Sequence, residues 1–258
     1  MPKESHEQKA ARTARIIDAL EEEIPEARIA LDSTNDLELL VSVMLSAQTM
    51  DSLVNKVTPA LFAKYRTAQA YADASEEELQ QAISRIGLFR NKAKNLKAAM
   101  TIIVRDHGGQ IPRTREALNE LPGVGWKTAG VVAYHAFGTP AFPVDTHVGR
   151  LSRRLGLTSQ EDPAKVEEDL QKLLPPERWG RAHQLIIWHG RRTCHAQRPQ
   201  CDACVIEKEC PRVGVTLSDL KSPASATKRA GRSRPAPKRR SAPSRKASPK
   251  RKRPTKAR

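Results

Sequence analysis

The sequence predicts an all-α fold, and three observations lead there. Apolar residues recur at helical spacing in successive runs along most of the chain. Strand signals are poor: β-branched alternation is scarce, and there is no Asn-Gly or Asp-Gly hairpin turn. The stretches between the apolar runs are short and no internal repeat is visible, which suits a compact helical bundle rather than a solenoid. The 258 residues leave room for one large or two small packed units.

In chain order, the first dense run covers residues 37–45 and is too apolar for a surface helix. Ser75 followed by Glu78 has the form of a capping box and opens a helix over residues 76–83. Leu88 stands between Gly87 and Phe89, in a turn ahead of Asn91, Lys92 and Ala93. Residues 93–104 form an amphipathic run that Gly108, Gly109 and Pro112 stop. Pro122 fixes φ, and Gly123 and Gly125 permit backbone angles that other residues resist, so residues 121–126 read as a turn feeding a helix over 127–137. Asp145 precedes another helical stretch, the usual place of an N-cap. Residues 165–174 and 179–188 complete the set.

The formal net charge is +16 and it is concentrated at one end. Residues 221–258 hold 16 Lys plus Arg and no Asp or Glu, leaving 29 basic residues against 29 acidic ones elsewhere. That tail has no aromatic residue and, proline aside, nothing apolar larger than alanine. It cannot bury enough surface to offset the entropy of ordering, so residues 219–258 are expected to be disordered. A basic arm of this kind reads first as an electrostatic attachment to nucleic acid. The plainer alternative is a solubilising or localising tail, and residues 249–254 have the form of a nuclear import signal. The first fifteen residues are polar, and no apolar run approaches the ~18–20 residues that a membrane span needs. The expectation is a soluble, intracellular protein with no membrane partner.

All four cysteines fall in seventeen positions, as Cys194-x6-Cys201-x2-Cys204-x5-Cys210. Such clustering in an intracellular chain favours a metal site over disulfides. Zinc is a serious competitor, but structural zinc sites more often use two closely spaced ligand pairs, and this loop has a single C-x-x-C. Four thiolates alone suit a cubane iron–sulfur cluster. Arg191, Arg192, Arg198 and Lys208 lie in or beside the loop and are expected to meet phosphates rather than merely solvate it.

The stretch Leu121-Pro122-Gly123-Val124-Gly125-Trp126-Lys127-Thr128 carries the chemistry. Its Gly-Val-Gly amides gather at a helix N-terminus, a natural seat for a phosphate. Lys127 falls in that helix's first turn, where the dipole disfavours a cation. A solvating lysine is a poor choice there. One that must attack carbon as a neutral amine is a good choice, because positive potential and burial both oppose the charged form. Eighteen residues on comes Asp145-Thr146-His147.

Together with Leu45-Ser46-Ala47-Gln48-Thr49 and Ile86-Gly87-Leu88-Phe89-Arg90-Asn91-Lys92-Ala93, these segments make the chain resemble the endonuclease III family of DNA glycosylase/AP lyases, within the helix-hairpin-helix superfamily. The resemblance covers nearly all of residues 10–212. It implies a two-lobed helix-hairpin-helix glycosylase fold. Residues 29–139 would form a six-helix lobe, and residues 1–28 with 140–218 a cluster-bearing one. Lys127 would be the nucleophile and Asp145 would stabilise positive sugar character. Gln48 would fill the stack vacated by an extruded nucleotide, and Leu88 would enter from the opposite side. Leu121, Gly123, Val124, Gly125, Thr128 and His147 would complete the DNA contacts. Cys194, Cys201, Cys204 and Cys210 would hold one [4Fe–4S] cluster with a structural and DNA-docking role.

The implied activity is excision of oxidised pyrimidines from double-stranded DNA, followed by strand cleavage at the abasic site. The protein would act as a monomer in the bacterial cytoplasm, at the nucleoid, with the nucleus as the alternative compartment. Two other readings stay open: a related glycosylase with another lesion preference, and a non-catalytic DNA-binding protein with a zinc knob. Three positions depart from the family's habit. Trp126 stands where many relatives have a basic residue, Gly130 where many have Asn, and Phe89 replaces a frequent Tyr.

The charge distribution generates a first test. Truncation after Leu220 is expected to leave single-turnover rates at saturation intact while weakening binding to undamaged duplex. If the tail neutralises even about five phosphates, the log–log salt slope falls by about 4–5. An unchanged slope would make the tail a localising device.

Overall fold

A computed structural model describes residues 4–216; the tail expected at 219–258 lies outside them. Among the described residues there are helices and 3-10 turns and no strand. No helix among them is long and apolar enough to cross a membrane.

Two hydrophobic cores organise the chain. The first is built by α2 (Asp36–Ser46), α3 (Asp51–Lys64), α4 (Ala68–Asp73), α5 (Glu76–Ala82), α6 (Phe89–His107), α7 (Arg115–Asn119) and α8 (Trp126–Phe137). As its composition requires, α2 is sunk in this core, with Leu39 to Leu45 all buried. The second core joins distant parts of the chain. It takes Ile16, Ile17 and Leu20 from α1 (His6–Glu23) and the inner faces of α9 (Thr146–Arg154), α10 (Pro163–Gln171) and α11 (Pro176–Arg192). Arg12 strengthens that long-range pairing by donating to the carbonyls of Leu155 and Glu209, at 2.9 Å each.

Local signals act as the sequence suggests. Ser75 and Glu78 form a full capping box on α5, and Ser5 with Gln8 forms another on α1. Gly108 ends α6 in the left-handed conformation. α6 is longer at both ends than its amphipathic run, because Leu88 starts it one turn earlier and the helix continues to the glycine. α3 was not legible at all: Pro59 interrupts its pattern, yet burial of Val54, Val57, Thr58 and Leu61 holds the helix together.

The seam between the cores is tight. Gly180 of α11 lies so close to α8 that an added Cβ would fall 2.1 Å from the Tyr134 ring. Beside it, the Gln184 amide meets His135 Nε2 at 2.9 Å.

Lys92 on α6 is nearly buried and serves a purpose that the sequence did not disclose. Its ammonium donates to the carbonyls of Leu45 (2.8 Å) and Ala47 (2.6 Å) and to the Thr49 hydroxyl (2.9 Å). Two orphan carbonyls at the end of α2 are thereby satisfied, and the turn carrying Gln48 is fixed to α6. Lys92→Met is therefore expected to destabilise the fold by about 2–3 kcal/mol in chemical denaturation, since it strands buried acceptors. It should also weaken duplex binding. A loss below about 0.5 kcal/mol would mean that water replaces the ammonium.

Candidate active site and cysteine loop

The hairpin is α7, a turn and α8. Gly123 sits in its turn at φ 79° and so close to α6 that a Cβ would lie 2.8 Å from that of Asn95. Both the conformation and the approach demand glycine. Gly125 differs from expectation. Its φ of −86° and ψ of 171° are ordinary extended values, and nothing crowds it. Its role is to start α8 without a side chain: no side-chain cap bonds this terminus, so the first amides of α8 stay open to an anion.

Lys127 follows in the first turn of α8. It is exposed, which corrects the expectation of burial. Asp145 caps α9, accepting from the Val148 amide at 2.8 Å through Oδ1. The cap uses one carboxylate oxygen, so capping does not exclude a second task for the other.

Lys127, Thr128, Asp145 and Gln48 open into one cleft of about 290 Å³. Its wall includes Val131 from α8 and His183, Gln184, Ile187 and Trp188 from α11. Burial pushes His183 and the neighbouring His135 down to about 4. The cleft is therefore backed by neutral imidazoles at physiological pH. Arg191 closes one side by pairing with Asp51 at 2.9 Å.

A smaller groove, of about 170 Å³, shares Gln48 with the cleft and is lined also by Leu88, Asn95 and Gly123. Gln48 and Leu88 both adopt the left-handed region, at φ 54° and 59°. That is rare for a residue as bulky as leucine. Leu88 is also 59% exposed, so its side chain stands out from the surface instead of joining the core.

Other expected DNA contacts fall elsewhere. Leu121 and Val124 bury their side chains in the first core, leaving only main chain for a phosphate. His147 turns away from the cleft. Its Nδ1 lies 3.2 Å from Arg150, and it packs so closely on α11 that a Cβ on Gly190 would come within 2.9 Å. Desolvation lowers its pKa. Of the cations near the cysteine loop, Arg191 is held by Asp51 and Arg192 by Glu26, whereas Arg198 and Lys208 are exposed.

The four cysteines are free thiols, and all of them line a single cavity with Leu151 and Ile206. Among the described residues, no three His, Cys, Asp or Glu side chains converge closely enough to hold one ion. The thiols thus surround a space rather than a point. Polar groups meet the sulfurs: Arg154 Nη1 donates to Cys194 Sγ at 3.3 Å, and His189 Nε2 lies 3.4 Å from Cys204 Sγ. Burial pushes the Cys204 thiol up to about 11 and raises Cys201 and Cys210 as well, so ligation there must release protons. Apart from two 3-10 turns, Cys201–Ala203 and Glu207–Glu209, the loop has no regular structure of its own.

Comparison with known proteins agrees with this geometry. Residues 41–176 match the model of the HhH-GPD superfamily base excision DNA repair proteins. The chain is 46% identical over 195 residues to the endonuclease III of Bacillus subtilis (strain 168), covering 75% of this chain and 89% of that one. It superposes on a non-covalent endonuclease III–DNA complex with a TM-score of 0.75 at 44% identity, covering 79% of this chain and 95% of that one. A trapped endonuclease III–DNA covalent intermediate gives the same TM-score and identity, with 79% and 96% covered. An all-helical chain with an uncapped hairpin helix, matched over most of its length by these proteins, belongs to the endonuclease III family of the HhH-GPD superfamily.

Proposed function

We propose that this protein is a bifunctional DNA glycosylase/AP lyase of base excision repair, acting on double-stranded DNA that carries oxidised pyrimidines or abasic sites. The observation that carries the reading is the convergence of Lys127, at the bare N-terminus of α8, and Asp145, at the head of α9, on one cleft with Gln48 at its rim.

A base inside a duplex offers no path to its sugar, so the nucleotide must be extruded, at a cost of a few kcal/mol. Gln48 and Leu88 flank the groove beside the cleft and act as wedges that occupy the vacated stack. The open amides of the hairpin and α8 hold a backbone phosphate. Lys127 then attacks C1′ as a neutral amine. The C1′–N bond breaks and the base leaves with a proton; the C1′–O4′ bond then opens, O4′ takes a proton, and a Schiff base joins Lys127 to the opened sugar. Loss of a C2′ proton drives β-elimination, which breaks the C3′–O bond and nicks the strand on the 3′ side. Asp145 stabilises the positive charge that develops at the sugar. The two cores act as two lobes with the cleft between them.

Cys194, Cys201, Cys204 and Cys210 would hold one [4Fe–4S] cluster. Four thiols around one cavity, with Arg154 and His189 beside sulfur, fit that group. It supplies cross-links to a loop that has little core of its own. Its compartment is that of the DNA, the bacterial cytoplasm.

Two measurements test these assignments. Lys127→Gln is expected to abolish borohydride cross-linking to abasic DNA while leaving binding largely intact; undiminished trapping would remove Lys127 from the mechanism. Asp145→Asn keeps an N-cap of equal quality but loses the charge. Base release should therefore slow by about a hundredfold with little loss of affinity. Equal losses in rate and affinity would leave Asp145 as a cap only. For the cysteine loop, the purified protein should carry iron and acid-labile sulfide in equal amounts, and Cys204→Ser should lose both. Stoichiometric zinc without sulfide would refute the cluster.

A further inference from the structure

Arg115 is a buried cation that the mechanism leaves unused. It lies on α7, at 7% exposure, and pairs with Glu167 of α10, at 5%. The pair is bidentate, with Nη1 on Oε1 and Nη2 at 3.0 Å from Oε2. Gln171 steadies the same carboxylate from 3.2 Å. The third nitrogen, Nε, donates to the carbonyl of Trp126 at 3.0 Å, and the guanidinium lies 4.1 Å from the centre of the Trp126 ring. Trp126 is the first residue of α8 and the immediate neighbour of Lys127.

Two departures from family habit are explained by this one side chain. A Cβ on Gly130 would sit 2.8 Å from Arg115 Nε and 2.9 Å from its Cζ, so the glycine is what lets the guanidinium pass under α8. Trp126 then covers it from above, where a basic residue would repel it. The elements so joined belong to different cores. Leu118 anchors α7 in the first, while Val166 and Leu170 anchor α10 in the second, beside the α9 that Asp145 caps.

We infer that Arg115 is a positioning residue for the reaction, fixing the first turn of α8, and so Lys127, relative to the lobe that carries Asp145. The inference rests on the reading of Lys127 as nucleophile. Stability is a poor explanation for the pair. Two buried charges give up their hydration, and an apolar pair of equal volume often serves the fold as well or better. What apolar residues cannot do is grip a carboxylate, a carbonyl and an indole face in fixed geometry at once, which the planar fork of arginine does.

Removing one charge alone would strand the other and risks unfolding, so the test replaces both. Arg115→Met with Glu167→Leu should fold and melt no lower than the parent chain. Its Kd for duplex containing a stable abasic analogue should stay within about twofold. Its single-turnover rate of borohydride-trappable adduct formation should fall roughly ten- to a hundredfold, the scale of a nucleophile misplaced by a fraction of its reach. Gly130→Ala, which keeps both charges but displaces the guanidinium, should show the same split between rate and affinity. A folded double variant with the parental rate would overturn the proposal, as would parallel losses of rate and affinity in both variants. Lys127→Gln is measured alongside. If it traps normally, the nucleophile reading fails and takes this proposal with it. If it is inert while the Arg115 variants keep full rate, only the positioning role is lost.

Discussion

The seam between two separately filled cores is the constraint on which the rest depends. Lys127 rides on a helix of the first core, and Asp145 heads a helix of the second. Neither core alone can set the spacing between the two side chains. It is set where α8 meets α11, by Gly180 against Tyr134 and Gln184 against His135, and where α7 meets α10. Interiors packed at crystal-like density do not yield smoothly, so contacts of this kind hold a cleft open at one width. The second core is itself closed by α1 returning to the C-terminal elements, which makes the cleft a product of the whole described chain rather than of one motif.

Backbone strain marks the edge of the cleft at Gln48 and the neighbouring groove at Leu88. Gln48 and Leu88 hold left-handed backbone angles that cost about 1–2 kcal/mol each for residues with a side chain. Something must over-determine them. For Gln48 it is the Lys92 ammonium, which clamps the carbonyls of Leu45 and Ala47 and the Thr49 hydroxyl around it. For Leu88 it is the start of α6 itself, whose first residue follows directly. Both strained residues expose their side chains beside one groove.

Much of this was legible in the sequence, and the remainder was hidden for definite reasons. Helix density, the capping box at Ser75, the turn at Gly123 and the cysteine loop are local patterns, and each appears where its spacing predicts. α3 was hidden because Pro59 breaks a weakly amphipathic run whose stability is tertiary. Lys92, Arg115 and Glu167 carry no local signal of burial, because the partners that bury them lie about 45, 11 and 52 residues away along the chain. Gly125 was misread for another reason: a glycine can be present for the side chain it lacks rather than the angle it allows. The exposure of Lys127 was likewise beyond sequence, since it depends on how far α2 and α11 stand from the end of α8.

The arginines of the body have a final consequence. Arg12, Arg150 and Arg154 direct their donors at main-chain carbonyls of Leu155, Glu209, Gly190, Cys194, His195 and Ala196. Arg191, Arg192 and Arg181 are paired with acids. These cations organise the cysteine loop and the seam, and their fields are largely answered within the fold. Outside residues 221–258 the chain is formally neutral as well. With a formally neutral body, attraction to DNA at long range cannot rest on net charge there, and the hairpin amides act only at contact distance.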